Sequence, residues 1–160
     1  MSSGVLVRKA VRDEAAGIAD VLRQSFAEFE PLYTPEGFAA TVVSAEGVTR
    51  RMNEGPVWVA LWNEAIAGTA SAVLKGERGL YVRGVAVLPR SRGKGIAAAL
   101  LREVESFARA EKCRQMYLTT TPFLNDAIRL YERWGFTRVP DGSEDLFGTP
   151  LFTMAKNLDG

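Results

Sequence analysis

The sequence predicts a mixed α/β (α+β) fold with a mostly antiparallel sheet of about six to seven strands flanked by helices. Strand-like and helix-like runs follow one another in the order β-α-α-β-β-β-α-β-α-β-β. Three strand-like runs between residues 56 and 88, separated by short turns, indicate an antiparallel meander. A helix over 95–112 joins strands 79–88 and 115–120, so residues 79–120 should form a parallel βαβ unit with a right-handed crossover.

The N-terminal half contains one strand and two helical regions before the meander. The strand spans residues 4–10, and Asp13 is expected to cap the helix that follows. Apolar residues of this helix recur at helical spacing: Ile18, Val21, Leu22, Phe26 and Phe29. A second helical region begins at Thr34, an N-cap followed by proline. Gly37 and Gly47 weaken this region, which is compatible with two separate helices.

The C-terminal half contains the helix with the clearest periodicity. In the helix over 95–112, one face is apolar: Ile96, Leu100, Leu101, Val104, Phe107 and Ala108. After the strand at 115–120, Asn125 is expected to cap a helix over 126–134, which Gly135 ends. The last strand is "LFTMAKNL", residues 151–158.

The bulk composition predicts a single cytoplasmic domain, residues 1–160, that binds neither nucleic acid nor membranes. Hydrophobic residues make up 47% of the chain, enough for one core. Lys and Arg number 20 and Asp and Glu 19, which leaves a net charge of +1 and no basic coat. No apolar run reaches the ~20 residues that a membrane-spanning helix needs. Charges also interrupt the N-terminus before any signal-peptide core.

The absence of histidine restricts the chemistry. The chain has no histidine and one cysteine, Cys113. Ser-His-Asp and Cys-His nucleophile systems are therefore excluded in their common forms, and we expect no metal ion. Any acid or base must come from Asp, Glu, Tyr, Lys, Cys, a terminus or water. We expect Cys113 to pack near a helix end without a catalytic role.

The turn "RSRGKGIAAAL", residues 90–100, has the composition of an anion site. It lies between a strand and a helix N-terminus, where backbone N–H groups are free and the helix dipole is positive. Gly93 and Gly95 allow a close approach of phosphate to the backbone. Arg90, Arg92 and Lys94 add positive charge. The alternative is an ordinary helix start with glycine turn residues and solvated cations.

Two nucleotide interpretations of this turn are weak. "GKGIAA" satisfies the dinucleotide pattern G-x-G-x-x-A, but the next strand ends "YLTTT", without the carboxylate that this site requires. The Walker pattern also fails, because no Ser or Thr follows Lys94 to hold magnesium. A nucleotide-dependent enzyme therefore stays only as a less favoured alternative.

Two motifs together resemble the GNAT superfamily of N-acetyltransferases. "VAVLPRSRGKGIAAALL" is similar to the family's acyl-CoA-binding motif R/Q-x-x-G-x-G/A, with Arg90, Gly93 and Gly95 at its defined positions. "NDAIRLYERWGF", residues 125–136, is similar to its second signature. The element order from residue 4 to 156 is similar as well. The resemblance implies a GNAT-type fold that binds acetyl-CoA (coenzyme A) as co-substrate.

The resemblance also implies which residues contact the cofactor. The pantetheine arm should hydrogen-bond to the strand backbone at Val85, Ala86 and Val87, and a bulge near Gly84 is compatible with the local apolar pattern. The pyrophosphate should lie on backbone N–H groups of one segment: Arg92, Gly93, Lys94, Gly95, Ile96 and Ala97. Asn125 should face the cofactor, and Ala127 occupies the alanine position of the second signature.

Tyr131 is the catalytic residue that the resemblance implies. It matches a family tyrosine near the cofactor sulfur, which is proposed to protonate the leaving thiolate. A structural role is the alternative. If Gly135 ends the helix in a Schellman motif, Tyr131 and Phe136 should pack against each other. Both roles are compatible, because a tyrosine can pack its ring and still present its hydroxyl.

The general base is harder to place. Many family members are thought to use a carboxylate on the central strand, but strand 79–88 has neither Asp nor Glu and offers Tyr81 and Arg83 instead. Glu28 and Glu30 could reach the acceptor cleft. Further candidate carboxylates are Glu77, Glu144 and Asp145, and each candidate is also compatible with an ordinary surface position. Arg83 could bind a substrate carboxylate or phosphate, or be solvated.

The function implied is transfer of an acetyl (acyl) group from acetyl-CoA to a primary amine, by direct attack in a ternary complex. The acceptor, a small-molecule or peptide amine, should be selected by residues 26–54 and 139–151. A homodimer through sheet edges or helices is compatible with a domain of this size. The alternative on the same fold is a non-catalytic acyl-CoA-binding or sensing module.

Overall fold

A computed structural model describes residues 4–77 and 79–158, with the backbone alone at 141–142. Its centre is a seven-stranded sheet in the order β1-β2-β3-β4-β5-β7-β6. The strands are β1 Val5–Lys9, β2 Val57–Trp62, β3 Ala65–Lys75, β4 Gly79–Val87, β5 Gln115–Thr120, β6 Thr137–Leu146 and β7 Thr149–Asn157. Among the strand pairs of the described residues, β4 and β5 are parallel and the others antiparallel. The predicted mixed, mostly antiparallel fold with a parallel unit at 79–120 is confirmed.

In the described part of the chain, five α-helices flank this sheet. They are α1 Ala15–Phe26, α2 Pro35–Thr41, α3 Ala45–Glu54, α4 Ile96–Ala110 and α5 Asn125–Trp134. Thr34 caps α2, because its hydroxyl accepts a hydrogen bond from the Gly37 N–H at 3.0 Å, as its sequence position predicts. The region weakened by Gly37 and Gly47 is indeed two helices, so the order contains one helix more than the simplest sequence count.

The predicted Asp13 cap of the first helix is wrong. A short 3₁₀ turn, Arg12–Glu14, precedes α1, and Glu14 occupies the N-cap position. The Glu14 carboxylate accepts a hydrogen bond from the Val11 N–H at 2.9 Å and forms an ion pair with Arg8 at 2.7 Å. This ion pair lowers the pKa of Glu14. The glutamate thus closes the turn in place of the aspartate.

The turn between β2 and β3 is shorter than the sequence indicates. Asn63 and Glu64 both have positive φ, 50° and 69°, which is the conformation of a two-residue I′-type hairpin turn. The run "NEAIAG", residues 63–68, predicts a longer turn that ends at Gly68, but β3 already begins at Ala65. Asparagine tolerates this conformation well, whereas glutamate does not, so the composition of the turn hides its length.

Two apolar clusters cover the two faces of the sheet. One contains the buried face of α4 and strand residues such as Leu80 and Val82. The other contains the buried face of α1, with Val48 of α3 and Ala86 of β4. Leu80, Val82 and Ala86 are separated by even numbers of residues, so in a regular strand they would share one face. Instead, Leu80 and Val82 lie on one face and Ala86 on the other. The strand must therefore contain an extra residue between Val82 and Ala86.

A β-bulge at Gly84–Val85 supplies that residue. On β3, Thr69 pairs with Ala86 and Ser71 pairs with Arg83, so one residue more stands on β4 than on its partner. Gly84 has a φ of 65°, which glycine adopts without strain. The bulge that the apolar pattern suggested is therefore present.

β4 and β5 separate immediately before this bulge. Their parallel pairing ends where Tyr81 faces Tyr117. Beyond that point β4 continues beside β3, while β5 continues beside β7 as far as Thr120. A wedge-shaped opening therefore lies between the C-terminal halves of two neighbouring strands in the middle of the sheet.

Candidate active site

The opening between β4 and β5 leads into a cleft of about 1280 Å³. Its walls come from the C-terminal halves of both strands, the glycine turn before α4 and α5 along its length. Residues 26–51 and the β6–β7 hairpin contribute the remaining wall. The two segments expected to select an acceptor, 26–54 and 139–151, thus meet at one cleft with the glycine turn.

The β4 side of the cleft is formed by Val85, Ala86 and Val87. Ala86 and Val87 pair with β3 on one edge only, because β5 has already diverged, and Val85 lies in the bulge. Ser25 closes the far end of this segment, since its hydroxyl donates to the Val87 carbonyl at 2.8 Å. The free edge of β4 offers strand backbone to a ligand that lies along the wedge.

The glycine turn presents a run of free backbone donors. Gly93 and Gly95 have φ values of 82° and 78°, and a Cβ built on either would meet no atom within 4 Å. Within the residues that the structure describes, the N–H groups of 93–98 have no hydrogen-bond acceptor. The Arg92 N–H donates to the Pro89 carbonyl at 3.3 Å, so Arg92 lies just outside this run. The N-terminus of α4 adds its dipole at the same place.

The three cations of the turn point away from these donors. Arg90 donates to the Gln24 side chain at 3.2 Å. Arg92 forms an ion pair with Glu28 at 2.8 Å and donates to the Ser25 carbonyl at 3.0 Å. The Lys94 ammonium lies 5.2 Å from the centre of the Trp62 ring. Arg90 and Lys94 accordingly lie outside the cleft lining, whereas Arg92 lines it together with its partner Glu28.

The predicted cap at Asn125 is wrong, although its place at the cleft is as expected. The N-cap residue of α5 is Leu124, without a side-chain cap hydrogen bond, and Asn125 is the first helical residue. Asn125 and Ala127 both line the cleft. Because its side chain is not used for capping, the Asn125 amide is available to a ligand.

Tyr131 lines the cleft from α5 and is 7% exposed. Burial, with a smaller contribution from Tyr33, raises its pKa above the usual value of 10. The Schellman contact is present too. The Phe136 N–H donates to the Tyr131 carbonyl at 2.9 Å, and the two rings lie 5.8 Å apart beside a left-handed Gly135. Structural and chemical roles are therefore compatible at this residue.

An aromatic cluster lies at the cleft wall to which residues 26–51 contribute, and the sequence analysis did not predict it. The Tyr33 and Phe123 rings are edge to face at 5.0 Å, and Phe29 lies 6.1 Å from Phe123. All three line the cleft. Burial raises the pKa of Tyr33, which the hydroxyls of Thr121 and Thr41 partly oppose. The run "FAEFEPLY", residues 26–33, contains two of these aromatic residues, but Phe123, which packs against them, comes from a distant loop.

The candidate carboxylates divide by position. Glu28, Glu144 and Asp145 line the cleft, whereas Glu30 and Glu77 do not. Glu28 is engaged by Arg92. The structure adds Asp126, which is paired with Arg129 at 2.5 Å. Tyr81 lines the cleft as well, and its hydroxyl lies 3.4 Å from the Thr119 hydroxyl.

Two arginines stand beside the bulge of β4. Arg83 was singled out from the sequence, and Arg51 of α3 was not; both line the cleft. Arg83 forms an ion pair with Glu54. Burial and the neighbouring Arg83 lower the pKa of Arg51 to about 10. No feature of the local sequence around Arg51 distinguishes it from the exposed Arg50.

Neither a metal site nor a membrane span is found in the described residues. Within residues 4–77 and 79–158, no group of three or more His, Cys, Asp or Glu side chains could hold a metal ion. The same part of the chain has no helix with the length and apolar character needed to cross a bilayer.

Comparisons with known proteins agree on one family. The model of the Acetyltransferase (GNAT) family matches residues 18–136. The uncharacterized N-acetyltransferase YjgM of Escherichia coli is 31% identical over 142 residues, 86% of this chain and 84% of its own. The PaiA N-acetyltransferase of Thermoplasma acidophilum, solved with coenzyme A, superposes with a TM-score of 0.77 at 18% identity, over 98% of this chain and 99% of its own.

A second structure, YncA of Salmonella typhimurium with acetyl-CoA, gives a TM-score of 0.74 at 22% identity. It covers 98% of this chain and 95% of its own. At such identities the two structures establish the shared fold.

Proposed function

Since the chain belongs to the acetyltransferase (GNAT) family and is an acyltransferase, we propose that it transfers an acetyl group from acetyl-CoA directly to a primary amine. The observation that carries this proposal is the free donor run at 93–98 beside the unpaired edge of β4. An extended ligand with a pyrophosphate at one end and amide groups along its length matches both features.

The residues present fit coenzyme A. The N–H groups of 93–98 would hold the pyrophosphate, where the open space around Gly93 and Gly95 leaves room for its oxygens. Val85, Ala86 and Val87 would hydrogen-bond the pantetheine arm, and the free amide of Asn125 would face it. The bound thioester supplies an acyl carbon that an amine can attack. A thioester held between β4 and α5 would have its sulfur on the side of Tyr131, which lines the same cleft.

Tyr131 is the proton donor in this proposal. The amine nitrogen forms a bond to the acyl carbon, the carbon–sulfur bond breaks, and the sulfur takes the phenolic proton. The phenol regains a proton through solvent from the amine nitrogen, so amide and thiol are the net products. A pKa raised above 10 keeps the phenol protonated at neutral pH and suits it to an acid rather than a base.

Direct transfer without an acyl-enzyme fits the side chains at hand. Cys113 lies at the end of α4 in the apolar cluster, where it is 6% exposed and outside the cleft lining. Burial raises the pKa of its thiol, which disfavours the nucleophilic thiolate. It packs near a helix end, as its sequence position indicates, and is not available to carry an acyl group.

Steady-state kinetics test this proposal. We expect release of free CoA thiol from acetyl-CoA with a panel of primary amines, and intersecting double-reciprocal plots that indicate a ternary complex. Parallel plots would indicate an acyl-enzyme and contradict direct transfer. If acetyl-CoA binds tightly and no amine of any class is acetylated, the non-catalytic acyl-CoA-binding module becomes the better account. β4, which carries no carboxylate to act as a base, is the observation that favours this alternative.

A further inference from the structure

The bulge of β4 makes room for an arginine that comes from another element. A Cβ built on Gly84 would lie 2.6 Å from Nη1 of Arg51, a separation that no real Cβ tolerates. The guanidinium of α3 is therefore seated directly against the bulge, where only a glycine leaves space for it. Val85, the first residue of the segment proposed to bind pantetheine, is the next residue along the strand.

Positive charge at this position exceeds negative charge. The charge of Arg83 helps to lower the pKa of Arg51, and among the described residues Glu54 forms an ion pair with Arg83 and not with Arg51. Glu54 is 52% exposed, whereas the Arg83 side chain is 23% exposed. Among the described residues, Arg51 has no ion pair, and the Nε of Arg83 is buried without a hydrogen-bond partner.

Other carboxylates of the cleft do not balance this charge. Glu28 is paired with Arg92, and Asp126 with Arg129. Glu144 and Asp145 line the cleft from the β6–β7 hairpin, and among the described residues neither forms an ion pair with Arg51 or Arg83. Glu54 is the one carboxylate among the described residues whose charge acts on Arg51. Two neighbouring guanidinium groups that are partly removed from water, of which only Arg83 is paired with a half-exposed carboxylate, form an unfavourable arrangement unless an anion joins them.

We propose that Arg51 and Arg83 bind an anionic group of the acyl acceptor, a carboxylate, so that the acceptor is an amine of the amino-acid type. This inference rests on the proposed function, because it concerns the acceptor end of the same cleft. Guanidinium groups bind carboxylates through paired, charge-assisted hydrogen bonds, and such contacts change affinity by about ten- to a hundredfold. The same two cations repel polyamines and the lysine side chains of basic peptides.

The test compares acids with their neutral counterparts. The full chain is assayed with acetyl-CoA and the common amino acids, their carboxamides, O-phosphoethanolamine and spermidine. Both CoA release and thermal stabilisation in the presence of CoA are measured. We expect kcat/KM for the preferred amino acid to exceed that of its amide by about tenfold or more. O-phosphoethanolamine separates a phosphate site from a carboxylate site.

Variants assign the effect to the two arginines. Arg51→Gln should lower kcat/KM for acids and leave amides unchanged, so that the acid-to-amide ratio falls towards one. Arg51→Lys keeps the positive charge but lacks the paired N–H donors of a guanidinium group, so it should give an intermediate acid-to-amide ratio. The matched control is Arg50→Gln, since Arg50 is exposed on the same helix and should leave the ratio unchanged. If Arg51→Gln does not fold, Arg83→Gln is used to measure the same acid-to-amide ratio. Unchanged affinity for acetyl-CoA in each variant confirms that the acetyl-CoA site is intact.

The outcomes distinguish the two proposals. Equal turnover of acids and amides, equal losses for both in Arg51→Gln, or no stabilisation by any acid would overturn the carboxylate site. Preference for O-phosphoethanolamine would replace carboxylate by phosphate. Acetylation of spermidine or amides in preference to acids leaves the acetyltransferase proposal standing while this inference fails. Arg51-dependent binding of acids without acetyl transfer leaves the anion site standing and removes the transfer reaction.

Discussion

Nη1 of Arg92 lies 2.8 Å from Oε1 of Glu28, which ties the glycine turn before α4 to the segment that follows α1. The Arg92 side chain therefore does not face the donor run in this structure, although the sequence places its charge there. The pair is exposed on both sides, with 43% and 52% of the side chains accessible, so its strength is modest.

Glu28→Gln is expected to tighten acetyl-CoA binding by about two- to fivefold, because it releases Arg92 from an exposed ion pair of ~0.2–1 kcal/mol. Isothermal titration calorimetry with acetyl-CoA measures this change. Glu30→Gln is the control, since Glu30 is exposed on the same segment and lies outside the cleft lining. Weaker binding in Glu28→Gln would mean that the pair orders the turn for the cofactor instead.

Gly95→Ala separates the cost of backbone strain from the cost of blocking a ligand. Its φ of 78° makes alanine unfavourable by about 1–2 kcal/mol of unfolding free energy, and its Cβ would enter the space assigned to the pyrophosphate. We expect this loss of stability together with at least about a tenfold weaker affinity for acetyl-CoA.

Gly76→Ala is the matched control for that variant. Gly76 also has positive φ, 57°, and open space around it, but it lies in the turn after β3 and outside the cleft lining. Urea unfolding should show a similar destabilisation, and titration should show unchanged acetyl-CoA affinity. Equal affinity losses in both variants would argue against phosphate binding at Gly95.

Tyr131→Phe is expected to reduce kcat by about a hundredfold or more, because it removes the proposed proton donor and keeps the ring. The packing against Phe136 depends on that ring, so the free energy of unfolding at neutral pH should change little. Acetyl-CoA affinity should also be retained. Turnover equal to that of the unmodified chain would remove Tyr131 from the chemistry and leave only its structural role.

Alkaline unfolding should report the burial of the same phenol. Tyrosine in the unfolded chain releases its proton near pH 10, while burial raises the pKa of Tyr131 and holds the proton in the folded state. The folded state then binds more protons, so stability falls as pH rises through this range. Between about pH 8 and about pH 11, Tyr131→Phe should lose about 1 kcal/mol less than the unmodified chain in urea unfolding. An identical loss in both would contradict burial of an ionisable hydroxyl.

Local patterns predicted most of the fold and the glycine turn that borders the cleft. The apolar stripe of α4, the two glycines before it and the glycine after α5 act within a few residues of themselves, so sequence alone identifies them. The two errors at helix starts, Asp13 and Asn125, concern which residue occupies the N-cap position. That choice depends on contacts such as the Arg8–Glu14 pair, which arise from packing.

The acceptor half depends on contacts between distant segments and was predicted incompletely. Arg51 acquires its significance from a bulge at Gly84, more than thirty residues later in the chain. Tyr33 acquires its burial from Phe123. Neither pairing has a spacing or motif that marks it in the sequence. The sequence also singles out Arg83 but does not indicate that Arg51 lies beside it.

The thermal unfolding of the full chain with acetyl-CoA, NAD and ATP tests the central claim most directly. A ligand at about a hundred times its dissociation constant adds about 2.7 kcal/mol of apparent stability. We predict this increase with acetyl-CoA and no increase with NAD or ATP, and we predict that Gly95→Ala lowers it by about 1.3 kcal/mol or more while Gly76→Ala leaves it unchanged. Stabilisation by NAD or ATP without stabilisation by acetyl-CoA would contradict a coenzyme A site in the cleft between β4 and β5.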